Sequence, residues 1–208
     1  MTRSYFRPIA APHFVNQPLR AALHFPPELL LRAQGSALGM KAAIFDVDGV
    51  LTDGRIYIGE QGETVKAFAT LDGHGLKLLK LGGIEPLVIT GRDSPAVRRR
   101  LADLGIAHAV FGAHDKLAAA LPLLSTLGLV WGDVAAIGDD WPDLPLLCRA
   151  AFACAPANAH AEVKAIAHHV TASGGGHGAA REFCDLLLMA AGRYGALLQG
   201  QMQTLDAA

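Results

Sequence analysis

The hydrophobic positions of this chain form short apolar runs that alternate with longer segments of helical periodicity. The apolar runs predict strands at 41–45, 86–89, 107–111, 134–137, 151–154 and 168–171. Helical patterns lie between or after them at 74–82, 94–104, 115–127, 143–149, 159–167 and 178–192. Strands that alternate with helices at this spacing are typical of right-handed βαβ units. The pattern therefore predicts an α/β fold with a doubly wound parallel sheet.

One segment, residues 55–69, interrupts the alternation. Two short stretches, 55–58 and 64–68, flank a turn at 59–62, which predicts a β-hairpin inserted between the first strand and the first helix of the sheet. An isolated hairpin is only marginally stable, so it is expected to pack on another surface. It is too short to form a separate cap domain.

The same pattern divides the chain into three predicted parts. Residues 1–39 form a loosely ordered N-terminal extension, in which only 27–33 has the pattern of a short helix. The alternating elements define one domain over 40–195, and 196–208 is a C-terminal tail.

The composition narrows the classes of function. A net charge of −1 over 208 residues gives no electrostatic case for nucleic acid or an anionic membrane as partner. The first forty residues contain no apolar segment typical of a secretory signal, and no uncharged run reaches membrane-spanning length. Three unclustered cysteines are expected to be free thiols in a reducing compartment. These features predict a cytoplasmic protein.

The segment Phe45–Gly54 carries the strongest chemical signal. Asp46 and Asp48 follow the first apolar run and are themselves followed by Gly49. A buried strand that ends in Asp-x-Asp-Gly places both carboxylates at its carboxyl end, where open α/β sheets bind ligands. One carboxylate can attack phosphorus while the other transfers a proton to the leaving oxygen, and a metal ion can offset the negative charge.

Two further positions follow predicted strands and point to the same edge of the sheet. The hydroxyl of Thr90 and the backbone N–H groups beside it can hold phosphoryl oxygens at the start of a helix, although an ordinary strand-to-helix turn is the alternative. Lys116 stands in the first turn of a predicted helix, where a cation is unfavourable to the helix dipole. A compensating role is therefore plausible, and a solvated surface lysine is the alternative.

Three acids, Asp139, Asp140 and Asp143, follow the predicted strand 134–137 within five positions. Clustered carboxylates repel one another unless a cation is present. Capping of a helix by Asp143, and solvation of one of the paired acids, are the alternatives. Together with Asp46 they predict a site for a hard divalent cation, for which Mg²⁺ is the economical choice.

These motifs occur in the order found in the haloacid dehalogenase-like phosphatases, which the chain resembles over roughly residues 40–192. It is more narrowly similar to the small-cap branch that acts on sugar-acid phosphates, through Asp72-Gly73-x-Gly75, Val170-Thr171 and the glycine-rich segment 174–182. The resemblance implies a Rossmann-like haloacid dehalogenase fold without a separate cap domain. It implies Mg²⁺-dependent hydrolysis through an aspartyl-phosphate, with 3-deoxy-D-manno-octulosonate 8-phosphate, a precursor for lipopolysaccharide, as the expected substrate.

The resemblance also implies roles for individual residues. It makes Asp46 the nucleophile, Asp48 the general acid and base, Thr90 a phosphate ligand and Lys116 the stabiliser of developing charge. Asp46, the main chain of Asp48 and Asp139 are the implied ligands of Mg²⁺. The implied substrate-binding residues are Asp48, Ala69, Thr70, Leu71, Asp72, Gly73, Lys77, Gly91, Arg92, Arg100 and Lys116.

Finally, the resemblance implies a homotetramer in which the hairpins form a central barrel and a neighbouring subunit helps to close each site. Two positions depart from the pattern, because Leu71 and His177 stand where enterobacterial members have arginines. This leaves the phosphatase chemistry unaffected and the exact sugar acid open, with a nonulosonic acid 9-phosphate as the alternative substrate. A receiver-like phosphoacceptor module is the alternative class, although a receiver needs no general acid at the position of Asp48.

Overall fold

The computed structural model describes residues 21–36, 39–60 and 62–203. Its main sheet consists of β1 (Ala42–Phe45), β4 (Glu85–Ile89), β5 (His108–Val110), β6 (Val134–Ile137), β7 (Phe152–Ala155) and β8 (His169–Val170). All neighbouring pairs are parallel, in the order β5-β4-β1-β6-β7-β8. The chain therefore winds outward from β1 in both directions, and the predicted doubly wound sheet is confirmed.

Helices cover both faces of this sheet. They are α1 (Pro27–Arg32), α2 (Thr70–Leu81), α3 (Pro95–Leu104), α4 (Lys116–Thr126), α5 (Leu144–Leu147), α6 (Ala161–Ile166), α7 (Ala179–Ala190) and α8 (Tyr194–Gln203), with single 3₁₀ turns at Trp131–Asp133 and Trp141–Asp143. The remaining strands, β2 (Tyr57–Gly59) and β3 (Gly62–Val65), pair antiparallel as a separate hairpin.

The side chains of β1 show why the sheet needs both helical layers. Ala43 and Phe45 point into one core with residues of α2, α3 and α7, whereas Ala42 and Ile44 point into a second core with residues of α4, α5 and α6. All four residues are at most 1% exposed. Strands buried on both faces read as continuous apolar runs, which is why the sequence pattern identified them.

The predicted start of α2 was wrong, because the helix begins at Thr70 rather than at residue 74. Gly73 and Gly75 lie inside it, although glycine weakens a helix interior. The reason is close packing: a Cβ on Gly73 would lie 2.3 Å from Nη2 of Arg100, and one on Gly75 would lie 3.1 Å from Cδ of Arg181. These glycines let neighbouring side chains approach the helix backbone.

The predicted hairpin exists, but its predicted bounds were wrong. Its strands pair over 57–59 and 62–65 instead of 55–58 and 64–68. Gly62 adopts a φ of 104°, a left-handed conformation that suits glycine in a tight turn. Because β3 ends at Val65, the next residue, Lys66, leaves the ladder and is free to turn toward the sheet.

The C-terminal region contains one more helix. Helix α8 occupies Tyr194–Gln203, within and just before the segment assigned to a tail, while 204–208 lie outside the described residues. At the other end, α1 lies where a short helix was expected, and 1–20 lie outside the described residues. The division of the chain into three parts stays a prediction. Within the ranges that the structure describes, no helix is long and apolar enough to cross a membrane.

Candidate active site

The carboxyl ends of β1, β4 and β6 meet at a cavity of about 380 Å³. Strands β4 and β5 follow on one side of β1, and β6, β7 and β8 follow on the other side. The carboxyl end of β1 is therefore the topological switch point, where such sheets bind ligands. The residues that line the cavity are Asp46, Asp48, Gly54, Gly91, Arg92, Ala113, His114, Lys116, Asp139, Asp140, Pro142 and Asp143.

The turn after β1 is compressed between two other segments. Gly49 has a φ of 97°, and a Cβ there would lie 2.0 Å from a carboxylate oxygen of Asp139. On the other side, a Cβ on Gly175 would lie 1.8 Å from the carbonyl oxygen of Gly49. The hydroxyl of Thr52 stabilises the turn by donating to the carbonyl of Val47. The glycine-rich loop therefore has a packing role, since it seats the aspartate turn against the strand end that carries Asp139.

Lys116 is a buried cation that joins two carboxylates. Its Nζ donates to Oδ1 of Asp46 and to Oδ1 of Asp143, both at 2.6 Å. The side chain of Asp115 caps α4 by accepting from the N–H of Ala118, which places Lys116 at the first position of the helix. Burial opposes the charge of Lys116, but the two carboxylates outweigh it and raise the pKa of the lysine. The alternative of a solvated surface lysine is excluded by this environment.

The aspartates of the cavity form a cluster that is rich in negative charge. Single oxygens of Asp46, Asp139 and Asp143 all lie within 4.8 Å of one another. Burial, followed by the charge of Asp143, raises the pKa of Asp46 to about 7 even beside Lys116. Burial, followed by the charge of Asp46, raises the pKa of Asp139 to about 8. A hard divalent cation relieves such repulsion, so this set of oxygen donors fits Mg²⁺.

Asp143 is already engaged in positioning its neighbours. One of its oxygens accepts from Lys116, and the other accepts from the backbone N–H groups of Asp139 at 3.1 Å and of Asp140 at 3.4 Å. It therefore orders the loop after β6 in the manner of a capping residue. Asp140 is exposed, which leaves Asp139 as the carboxylate after β6 that is best placed for a metal.

The predicted phosphate-binding segment follows β4. Gly91 and Arg92 line the cavity, whereas Thr90 is only 1% exposed and does not line it. The hydroxyl of Thr90 accepts from the N–H of Arg92 at 3.4 Å. Its role as a phosphate ligand stays a prediction.

A second group of predicted substrate-binding residues lies beside the main cavity and not in it. Ala69, Gly73 and Arg100 line a separate small pocket, where Nη2 of Arg100 donates to the carbonyl of Ala69 at 3.3 Å. On α2, Thr70, Leu71 and Lys77 are exposed. Within one chain, the structure therefore splits the predicted substrate-binding set into two groups.

Asp72, another member of that set, also lines the small pocket, but its carboxylate faces α7. Its two oxygens accept from the N–H of Gly178 at 3.2 Å and of Arg181 at 2.8 Å. A carboxylate at this end of a helix stabilises the orphan N–H groups and the helix dipole. The observed contacts of Asp72 are thus structural, and substrate binding by this side chain stays a prediction.

Two charged residues of the hairpin, Glu63 and Lys66, were not among the predicted site residues. The Lys66 side chain is fully buried, contacts the carboxylate of Asp48 and lies 3.5 Å from Glu63. Glu63 also accepts from Ser94 at 2.7 Å and from Arg92 at 3.1 Å. A lysine between apolar residues in Thr64-Val65-Lys66-Ala67-Phe68 is the one signal that the sequence offered.

The chain is similar to known proteins in sequence and in structure. A family model of haloacid dehalogenase-like hydrolases matches residues 110–183. The chain is 44% identical over 154 residues to the 3-deoxy-D-manno-octulosonate 8-phosphate phosphatase of Yersinia pestis. The aligned residues cover 74% of this chain and 82% of that relative. The chain belongs to the haloacid dehalogenase-like phosphatase family that includes this relative. The enzyme of the same name from Escherichia coli K12 is 43% identical over 76% of this chain and 84% of its own length.

The fold is also similar to that of a solved structure within the family. It is the 3-deoxy-D-manno-octulosonate 8-phosphate phosphatase of Moraxella catarrhalis, in complex with a magnesium ion, a phosphate ion and 3-deoxy-D-manno-octulosonate. It is 39% identical to this chain, with a TM-score of 0.78, over 83% of this chain and 97% of that one. The expected membership of the haloacid dehalogenase-like phosphatases is therefore confirmed.

Proposed function

We propose that this protein is a Mg²⁺-dependent phosphatase that hydrolyses 3-deoxy-D-manno-octulosonate 8-phosphate to the free sugar acid and phosphate. The reaction would supply a precursor of lipopolysaccharide. The observation that carries the proposal is the buried contact of Lys116 with Asp46, beside Asp139 and at the switch point of the sheet. The family relatives named above support the substrate.

In the first step, an oxygen of Asp46 attacks the phosphorus, and the bond from phosphorus to the sugar oxygen breaks. The product is an aspartyl-phosphate and a sugar alkoxide, which takes a proton from Asp48 as it leaves. Lys116 holds the attacking carboxylate in place and places a positive charge next to the transferring phosphoryl group.

In the second step, water attacks the phosphorus of the aspartyl-phosphate, and Asp48 accepts the proton of that water. The bond between Asp46 and phosphorus breaks, so phosphate is released and the carboxylate is restored. Asp46, the main chain of Asp48 and Asp139 would hold Mg²⁺, which when bound supplies positive charge to the phosphoryl oxygens. The carboxylates present here fit that ion because they are crowded oxygen donors.

The substrate carboxylate needs cations besides Lys116 and the metal. Arg92 lines the cavity and its side chain is 47% exposed, so its planar fork is available to a carboxylate at the mouth of the site. Arg100, Lys77 and the segment 69–73 lie outside this cavity, so we assign them to binding across a subunit boundary.

A homotetramer would create that boundary. The hairpin exposes the apolar residues Ile56, Tyr57, Ile58 and Val65, at 41%, 45%, 76% and 57% respectively. Such a surface on a small insertion favours association with other copies of itself, which also removes open strand edges.

The test is a panel of phosphorylated sugar acids assayed with Mg²⁺ and then with excess chelator. We expect 3-deoxy-D-manno-octulosonate 8-phosphate to give the highest kcat/KM and the chelator to abolish turnover. A nonulosonic acid 9-phosphate as the preferred substrate would contradict the proposed sugar. Transfer of a single phosphoryl group without repeated turnover would instead identify a receiver-like module.

A further inference from the structure

The hairpin sends two charged side chains inward while its apolar side chains face outward. Lys66 is the more buried of the two, since its side chain is 0% exposed and its ammonium group contacts Asp48 and Glu63. Burying an ammonium group costs free energy unless it is paired and hydrogen-bonded. A methionine of similar length would fill the same space without that cost, so packing alone does not account for a lysine here.

The partner of Lys66 is the group to which the proposed reaction gives proton transfer. Lys66 holds one oxygen of the Asp48 carboxylate, and the other oxygen lies 3.9 Å from Nε of Arg92. The carboxylate thus has a cation near each of its oxygens, while its side chain stays 20% exposed along the wall of the cavity. Its orientation is set from the hairpin side of the site.

Glu63 connects these cations to the body of the domain. It accepts from Ser94, the residue that precedes α3, and from Arg92, and it lies near Lys66. Ser94 makes no side-chain cap bond to its own helix, so its hydroxyl is committed to Glu63. The base of the hairpin is in this way linked both to Asp48 and to the start of α3.

From these contacts we infer that Lys66 is a positioning residue for proton transfer: it holds Asp48 toward the leaving oxygen, with Glu63 keeping Lys66 in place. The inference rests on the proposed phosphatase function and extends it, because the hairpin becomes part of the catalytic apparatus as well as a surface for assembly. It predicts that loss of Lys66 affects reactions in proportion to their need for a general acid.

The experiment compares two simple phosphate monoesters, an alkyl ester with a basic leaving oxygen and p-nitrophenyl phosphate, whose leaving group needs no proton. The readout is kcat/KM, because it reports the steps up to departure of the leaving group and not the later hydrolysis of the aspartyl-phosphate, in which Asp48 also takes part. For the alkyl ester we expect Lys66→Met to lower kcat/KM by about tenfold or more, up to the 10²–10⁴-fold that general acid–base catalysis is typically worth. For the aryl ester kcat/KM should fall less than about threefold, since proton donation contributes little there.

A double-mutant cycle separates positioning of Asp48 from a general effect of the hairpin. In an Asp48→Asn background, Lys66→Met should cause no further loss of kcat/KM on the alkyl ester, because the group it positions is already gone. Lys66→Arg should recover part of the alkyl-ester activity. The matched control is Lys80→Met, since among the described residues the Lys80 side chain donates only to the carbonyl of Gly105, and it should leave both rates unchanged.

Equal losses of kcat/KM on the two esters, or a full additional loss in the Asp48→Asn background, would overturn the inference. If Lys66→Met does not fold, Glu63→Gln takes its place, since it keeps an acceptor for Ser94 but removes the charge beside Lys66. The same selective loss on the alkyl ester is expected from it, and equal losses would again overturn the inference. A wild-type enzyme that cleaves both simple esters but no sugar-acid phosphate would refute only the proposed substrate. One that cleaves no monoester would refute both.

Discussion

The edge of the sheet and the hairpin differ in which side chains they bury and which they expose. At the sheet edge, Asp46, Asp143 and Lys116 are buried charges that compensate one another within one chain and on rigid elements. The hairpin instead exposes apolar side chains and turns its charged residues, Glu63 and Lys66, inward. The difference predicts that substitutions at the sheet edge act on phosphoryl transfer, whereas substitutions on the exposed apolar side of the hairpin act on assembly.

The sheet edge has the largest predicted effect. Asp46→Asn should abolish turnover, since an amide keeps the shape of the side chain but cannot form the aspartyl-phosphate. The variant should remain folded, because the change removes one charge from a crowded cluster. Steady-state assays on purified protein and circular dichroism measure the two outcomes. Activity above a trace, after contamination has been excluded, would remove Asp46 from the role of nucleophile.

Asp139 tests whether the same edge holds the metal. Asp139→Ala should raise the Mg²⁺ concentration for half-maximal activity by more than the about 10–100-fold typical for loss of an outer partner of a metal site. Asp140→Ala is the matched control, because Asp140 is its exposed neighbour, and its Mg²⁺ dependence should stay close to that of the wild type. If the two variants behave alike, Asp139 is not the ligand.

Arg92 lies where the two regions meet, in contact with Glu63 of the hairpin and near Asp48 of the sheet edge. Arg92→Ala should raise KM for the sugar-acid phosphate by about 10–100-fold, the equivalent of the roughly 1.5–3 kcal/mol of a hydrogen bond to a charged group. A monoester without a carboxylate should show a much smaller change. Arg99→Ala, on the exposed side of α3, serves as control. A uniform rise of KM on both substrates would assign Arg92 to the phosphate.

The oligomeric state tests the apolar surface of the hairpin. Ile58→Asp places a charge on its most exposed apolar position, and we expect a smaller species in light scattering together with lower turnover of the sugar-acid phosphate, by a few-fold or more. Leu121→Asp, at an exposed apolar position on α4, should change neither. A wild-type monomer that is fully active at assay concentration would show that the site needs no neighbour.

The prediction with the smallest consequence for turnover concerns stability against pH in the metal-free protein. The pKa values of Asp46 and Asp139, raised to about 7 and about 8 from 3.8, mean that the folded state binds more protons than the unfolded state between about pH 4 and 8. The free energy of unfolding should therefore fall as pH rises through this window. Each kcal/mol lost should lower Tm by roughly 2–4 °C. Added Mg²⁺ should reverse the loss at pH 8. Calorimetric Tm values that rise with pH in chelator would contradict the assignment.

The central strands β1, β4, β6 and β7 could be predicted because they are almost entirely buried and so form continuous apolar runs. The aspartates after β1 and β6 could be placed together because parallel strands share one carboxyl edge. The start of α2 could not be predicted, since Gly73 and Gly75 are tolerated only because Arg100 and Arg181 approach the backbone there. That is information about tertiary contacts and not about local preference.

Lys66 escaped prediction for a related reason. The prediction placed Lys66 inside a strand, whereas β3 ends at Val65, so the Lys66 side chain lies beyond the ladder and turns to Asp48. In the same way, nothing in the sequence separates the residues of the main cavity from Arg100 and the segment 69–73. Their split follows from the way α2 and α3 pack.

The contact between Gly175 and the carbonyl of Gly49 has a consequence for biosynthesis. The nucleophile turn is held from one side by a residue that lies 126 positions later in the chain, so a nascent chain that lacks the last quarter of the sequence cannot have a finished active site. Contacts between such distant positions form slowly, because the chain loses entropy in closing a long loop before the contact can stabilise it. Most of the chain must therefore leave the ribosome before the nucleophile turn can take its final packing.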